Sequence, residues 1–136
     1  PVSAGGYTEL GLYGEDDDGN LTAGELPSEV TPGTSVPVTV AIENQEGQQQ
    51  AYTVVVQEHV IEDGDVVERT ELQRFNTTVS DGTTEHAERS VTPTGRGNET
   101  VRIGVLLYYD EPPATPTVEN AVEETHFWVT VTEGSG

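Results

Sequence analysis

Alternation with a period of two runs through nearly the whole chain, and it leaves little room for any architecture but packed sheets. In TSVPVTVAIEN, Val36, Val38, Val40 and Ile42 fall on one side, with Pro37, Thr39 and Glu43 on the other. Successive side chains of a strand point to opposite faces, so this segment reads as a half-buried strand. In AYTVVVQ, Tyr52, Val54 and Val56 alternate with Thr53, Val55 and Gln57. The strictest alternation is in TVRIGVLLYYDE, through Val101, Ile103, Val105, Leu107 and Tyr109, and THFWVTVTE closes the series with Phe127, Val129 and Val131. Further strands are expected over YTELGLYG, over VVERTELQRFNTTV with Leu72 and Phe75 as anchors, and over TEHAERSVTPT, whose polarity suits an edge. Only ENAVEE, residues 119–124, has room for a short helical turn.

The punctuation agrees with the alternation. The polar run ENQEGQQQ, centred on Gly47, is expected to join its two flanking strands as an antiparallel hairpin. Asp63-Gly64 and Asp81-Gly82 mark two further turns, TGRGN another, and DEPPATPT a Pro-rich loop. About seven strands with turn signals every 8–12 residues form the pattern of an Ig-like sandwich. The expected fold is all-β, an Ig-like antiparallel β-sandwich of about seven strands, with residues 1–136 forming one domain, a length that suits one core.

Charge narrows the setting. Against 25 acidic residues stand five basic ones, all arginine (Arg69, Arg74, Arg89, Arg96 and Arg102), for a net charge of −20. Carboxylates repel across a Debye length of ~8–10 Å in ordinary buffers, and that length shrinks to about 3 Å in molar salt. The balance therefore points to a protein adapted to brine. The acids are scattered as on a solvated surface that holds water and loosely bound cations, rather than blocked as a binding tail. Nucleic acid is excluded as a partner, because phosphate contacts need a basic patch and the sequence has none.

The chain has no cysteine, which removes disulfides, thiolate metal sites and cysteine nucleophiles together. No apolar run approaches the ~18 residues that span a bilayer, and no signal peptide is present. The start at Pro1-Val2 and the Gly-Ser-Gly end suggest a domain cut from a longer, membrane-anchored chain.

The run YTEL, a Gly-centred turn, NLT-x-GE, SVPVTVAIENQEG and AYTVVVQ, followed by ELQRF, VTPT, VRIGVLLYY and HFWVTV, resembles the haloarchaeal domain of unknown function 1616 family over nearly the whole length. The resemblance implies an Ig-like domain held outside the cell behind N-terminal transmembrane helices. It also implies a position near surface-glycan assembly for some members, with no catalytic residues to carry over. The implied role is a non-catalytic one, structural or binding an unknown protein or glycan at the cell surface. The alternative is an accessory domain of a surface-glycan assembly enzyme whose catalytic part lies elsewhere.

Four groups of residues could carry chemistry. GEDDDGNLTAGE, residues 14–25, partly matches a calcium loop: with Gly19 at its sixth position, Asp16, Asp18 and Glu25 fall on the third, fifth and twelfth. Gly14 then occupies the first position with no ligand to offer, and strand-like and Pro-containing flanks replace the helices such a loop needs. The acidic-turn reading is preferred, and no cofactor is implied. Asn20, Asn76 and Asn98 head N-x-[ST] sequons and are candidate glycosylation sites. His59, His86 and His126 fall on three separate strands without ligand spacing, as surface or packing histidines do. The single tryptophan, Trp128, alternates opposite Phe127, Val129 and Val131; packing is the commoner fate of such a ring. The sharper reading makes Trp128 and Tyr108 a sugar-stacking platform on one outer sheet face. No GxSxG, HExxH or Gly-rich phosphate loop occurs, so bond-making chemistry is not expected.

Overall fold

A computed structural model describes residues 5–16, 18–22 and 26–132. Each alternating segment forms a strand: β1 (Tyr7–Glu15), β4 (Val36–Gln45), β5 (Gln50–Glu62), β6 (Asp65–Val79), β7 (Thr84–Val91), β8 (Glu99–Tyr109) and β9 (Glu123–Val131). Two more, β2 (Leu21–Thr22) and β3 (Glu29–Val30), bring the described total to nine rather than seven. Two-residue strands are too short to display any period, which is why the alternation does not reveal them. A 3-10 turn at Val118–Asn120 is the only helical element described, and among the described residues no helix is long and apolar enough to cross a membrane.

The strands form two sheets, β2-β1-β4-β7 and β3-β9-β8-β5-β6, packed face to face as an all-β sandwich. All pairings are antiparallel except β3 with β9, which is parallel. Val36, Val38, Val40 and Ile42 from one sheet meet Tyr52, Val54, Val56, Val101, Ile103, Val105 and Leu107 from the other in one continuous core. Burying each such side chain contributes roughly 1.5–3 kcal/mol. Leu72 and Phe75 pack against its rim, and β7 is an edge strand, both as expected.

The hairpin expected between β4 and β5 does not form. β4 pairs with β1 on one side and β7 on the other over nearly its full length, so no hydrogen-bonding edge remains for β5. The turn at Gly47 instead carries the chain from one sheet to the other. Asn44, fully buried, fixes that crossing: its Nδ2 donates to the carbonyls of Gln48 and Val79, each at 2.8 Å, and its Oδ1 accepts from the Glu46 amide. The β5–β6 hairpin does form, across Asp63 (φ 52°) and Gly64 (φ 85°), the left-handed pair that a two-residue turn of this hand needs.

A bulge in this hairpin decides what the outer face displays. Val56 pairs with Gln73 and Gln57 with Glu71, leaving Leu72 as the extra residue. Side-chain phase along β6 slips by one there, so Arg74 points outward together with Glu71 and Arg69 although it stands at odd separations from both. Residues 110–122 then cross one end of this face. Val118 and Ala121 pack on Val55, Leu106 and Tyr108, making a small second core outside the sheet.

Candidate functional site

The outer face of the five-stranded sheet is built by four strands in register. Trp128 of β9 lies opposite Arg102 of β8, Arg102 opposite His59 of β5, and His59 opposite Arg69 of β6. One row across the sheet therefore reads Trp-Arg-His-Arg, at ~4.8 Å per strand. The next row holds His126, Gly104, Gln57 and Glu71.

His59 is fully buried although it lies on the outward side. It rests on Gly104, where a Cβ would stand 2.8 Å from the imidazole Cε1, so the missing side chain there makes room for the ring. Arg102 Nε donates to His59 Nδ1 at 3.0 Å, and His59 Nε2 faces Gln57 Oε1 at 2.8 Å. With Nδ1 accepting, the proton belongs on Nε2, and the ring donates it to Gln57. Gln57 Nε2 in turn donates to the Pro116 carbonyl at 2.9 Å. A chain of hydrogen bonds thus ties the crossing segment to Arg102. Burial, then the positive charges of Arg102 and Arg69, lower the His59 pKa from 6.5 to about 4, so the ring is neutral at ordinary pH.

Trp128 is 47% exposed. The Arg102 guanidinium carbon lies 6.0 Å from its ring centroid, and His126 meets it edge-on at 6.2 Å. Packing, the commoner fate, does not describe this tryptophan: its backbone phase puts it on the outward side, at the end of the face that residues 110–122 leave open. The two-residue platform also needs correction. Tyr108 shares the outer face but is buried under Val118 and Ala121, its hydroxyl bonded to Asn120 Oδ1 at 2.6 Å. It sits six residues along β8 from the partner of Trp128, ~20 Å away, too far to stack one sugar jointly.

The other candidates lie apart from this row. Asp16 Oδ1 accepts from the amides of Asp18 and Asn20, each at 2.9 Å, so that carboxylate closes its own turn between β1 and β2. Asp18 is exposed, and Glu25 lies outside the described residues. Among the described residues no group of three histidines or acids is placed to hold a metal ion. Asn20, Asn76 and Asn98 are all exposed and widely separated. Asn20 follows the turn at Gly19; Asn76, on the outer face of β6, accepts from the Thr53 hydroxyl at 3.0 Å; Asn98 takes φ 67° in the turn before β8. His86 stands on the other sheet, on β7.

Two polar groups serve the frame, Glu58 buried and Glu46 half-buried. Glu58 accepts from the Thr94 amide at 2.7 Å, the Thr94 hydroxyl at 2.5 Å and the Gly95 amide at 3.2 Å, holding the loop before β8. Glu46 accepts from Thr8 at 2.7 Å and Tyr109 at 2.5 Å, which lowers its pKa. Arg102, His59 and Arg69 escape sequence reasoning because they belong to three different strands. Only the register brings them together.

A family model described as Domain of unknown function (DUF1616) matches residues 1–130. No curated protein matches the chain. Among solved structures, the CARDB domain of a Pyrococcus furiosus protein in complex with di-metal ions is similar at TM-score 0.61 and 15% identity, over 98% of this chain and 100% of that one. A β-glucosidase from Listeria innocua is similar at TM-score 0.61 and 15% identity over 93% of this chain, which spans 16% of the enzyme. A Paenibacillus cycloisomaltooligosaccharide glucanotransferase complexed with cycloisomaltoheptaose gives TM-score 0.58 and 17% identity, over 97% of this chain and 15% of that one. At such identities the likeness is one of fold.

Proposed function

The chain belongs to the family described as Domain of unknown function (DUF1616), and on that premise we propose that it is a non-catalytic recognition domain, carried on the external face of a membrane protein in a cell living at high salt. The net charge of −20 supports the saline setting, since such a surface repels itself until salt screens it. The family resemblance implies the external position, and three sequons at exposed sites suit it.

One observation carries the recognition role. The single tryptophan stands half-exposed on a flat sheet face, with an arginine oriented beside it by a buried histidine. A large aromatic left partly in water, next to an ordered polar group, is the composition of a contact surface rather than of a core. The flat indole face suits the C–H face of a pyranose, so the partner in this reading is a glycan.

The test is a panel of neutral and acidic glycans presented to the domain in molar NaCl. Saturable binding that Trp128→Ala weakens at least about tenfold supports the reading. A panel without a binder, or binding indifferent to Trp128→Ala, overturns it.

A further inference from the structure

Three of the five arginines, Arg69, Arg74 and Arg102, stand on the outer face of one sheet in a protein with 25 acidic residues. Arg74 is taken by Glu71 through hydrogen bonds of 2.7 and 3.1 Å. Among the described residues, Arg69 and Arg102 have no carboxylate within ion-pair distance. Arg89 and Arg96 likewise have none among the described residues; what sets Arg69 and Arg102 apart is that they share one row of one sheet face, with only His59 between them.

The way Arg102 is held sharpens the point. A carboxylate partner would orient it and cancel its charge. The neutral imidazole of His59 orients it through Nε alone. The terminal nitrogens make no hydrogen bond among the described residues and keep their positive charge, in the fork geometry that accepts a carboxylate bidentately. Trp128 lies on one side of this fork and Arg69 two strands away on the other, so the row runs about 14 Å across the face.

We propose that the row Trp128–Arg102–His59–Arg69 binds an acidic sugar, a uronate-bearing glycan, with a pyranose ring on Trp128 and ring carboxylates on Arg102 and Arg69. This rests on the recognition role proposed above and names the ligand class for that face. The acids that border the row, Glu71, Glu119 and Glu124, do not forbid an anion. Glu71 is engaged by Arg74, Glu124 lies 3.7 Å from His126, and molar salt cuts the reach of the remaining charge to about 3 Å. Long-range repulsion is thereby silenced while a direct guanidinium–carboxylate contact survives, so in brine selectivity comes from contact geometry.

Trp128 is the single tryptophan, so its emission reports binding directly. Trigalacturonate and neutral maltotriose are titrated in molar NaCl against the intact domain, Arg102→Gln and Arg69→Gln. The expected result is a saturable emission change with trigalacturonate, at least about tenfold tighter than with maltotriose, and about tenfold weaker in each variant. Arg69 is exposed and makes no hydrogen bond among the described residues, so its variant preserves the test even where Arg102→Gln loosens the sheet. Equal affinity for the two sugars, unchanged by either variant, overturns the acidic-sugar assignment and leaves glycan recognition standing. No saturation with trigalacturonate, while another glycan binds through Trp128, does the same. A protein partner that occupies the row and is not displaced by trigalacturonate overturns both.

Discussion

Arg102 donates its Nε proton to Nδ1 of His59 at 3.0 Å, and His59 is fully buried. A cation is thus positioned by an uncharged acceptor. Hydrogen bonds to charged groups contribute about 1.5–3 kcal/mol, so the pair both orders Arg102 and anchors the middle of the face. The arrangement holds only while His59 is neutral, because a protonated Nδ1 would present a proton to a donor.

That requirement gives a pH dependence. The folded pKa, about 4, lies below the ordinary 6.5, first through burial and then through Arg102 and Arg69; Glu119 opposes the shift and His126 adds to it. A depressed pKa means stability that is present above pH 6.5 and lost as pH falls toward 4. In molar NaCl, the loss of unfolding free energy over that interval should be smaller in His59→Gln than in the native chain. The difference should be about 2 kcal/mol, allowing for solvent screening of the two arginines. Urea melts at a series of pH values measure it, and parallel pH profiles would refute it.

Gly104→Ala should disturb the same pair without touching any charge. The added Cβ falls 2.8 Å from His59 Cε1, and the ring has no free space in which to retreat. A cost of about 1–3 kcal/mol is expected, with a shifted Trp128 emission as Arg102 loses its anchor. An unchanged urea midpoint would show that the ring adapts freely.

Glu58→Leu should cost about 1–3 kcal/mol. It removes the carboxylate oxygen that accepts from the amides of both Thr94 and Gly95, leaving those donors unsatisfied beside a buried position. Urea unfolding in molar NaCl checks this, and faster proteolysis of the loop before β8 should accompany it.

Melting temperature should climb steeply from low to molar NaCl. Arg74–Glu71 is the one arginine–carboxylate pair among the described residues, so salt has little attraction to weaken and much repulsion to relieve. Differential scanning calorimetry across a salt series would show a flat curve if the acidic surface were not an adaptation to brine.

β4, β5, β8 and β9 were legible because each keeps one apolar face over several alternate positions, as in Val101 to Leu107, and the more polar β1, β6 and β7 were legible from the turn signals that bound them. The hairpin misread at Gly47 shows the limit of such reading. Two alternating strands joined by a polar turn look the same whether they pair with each other or face each other across a core. What separates the cases here is that β1 and β7 occupy both edges of β4, which involves residues some thirty and fifty positions away in the chain. Tyr108 shows a second limit: its parity put it correctly on the outer face, but burial came from Val118 and Ala121, which cross that face after a proline-rich loop with no period to read.

The sequence by itself determined that this chain is a sandwich with a strongly acidic composition, because period-two alternation and net charge are properties of local order and of sums. The row on the outer face was decided by tertiary structure. Arg74 and Glu71, three residues apart, would point to opposite faces of a regular strand, yet they bond at 2.7 Å because the bulge at Leu72 slips the phase. The same slip turns Arg69 outward to His59. No count of residues along the chain contains that slip, since it is set by which residue of β5 each residue of β6 pairs with.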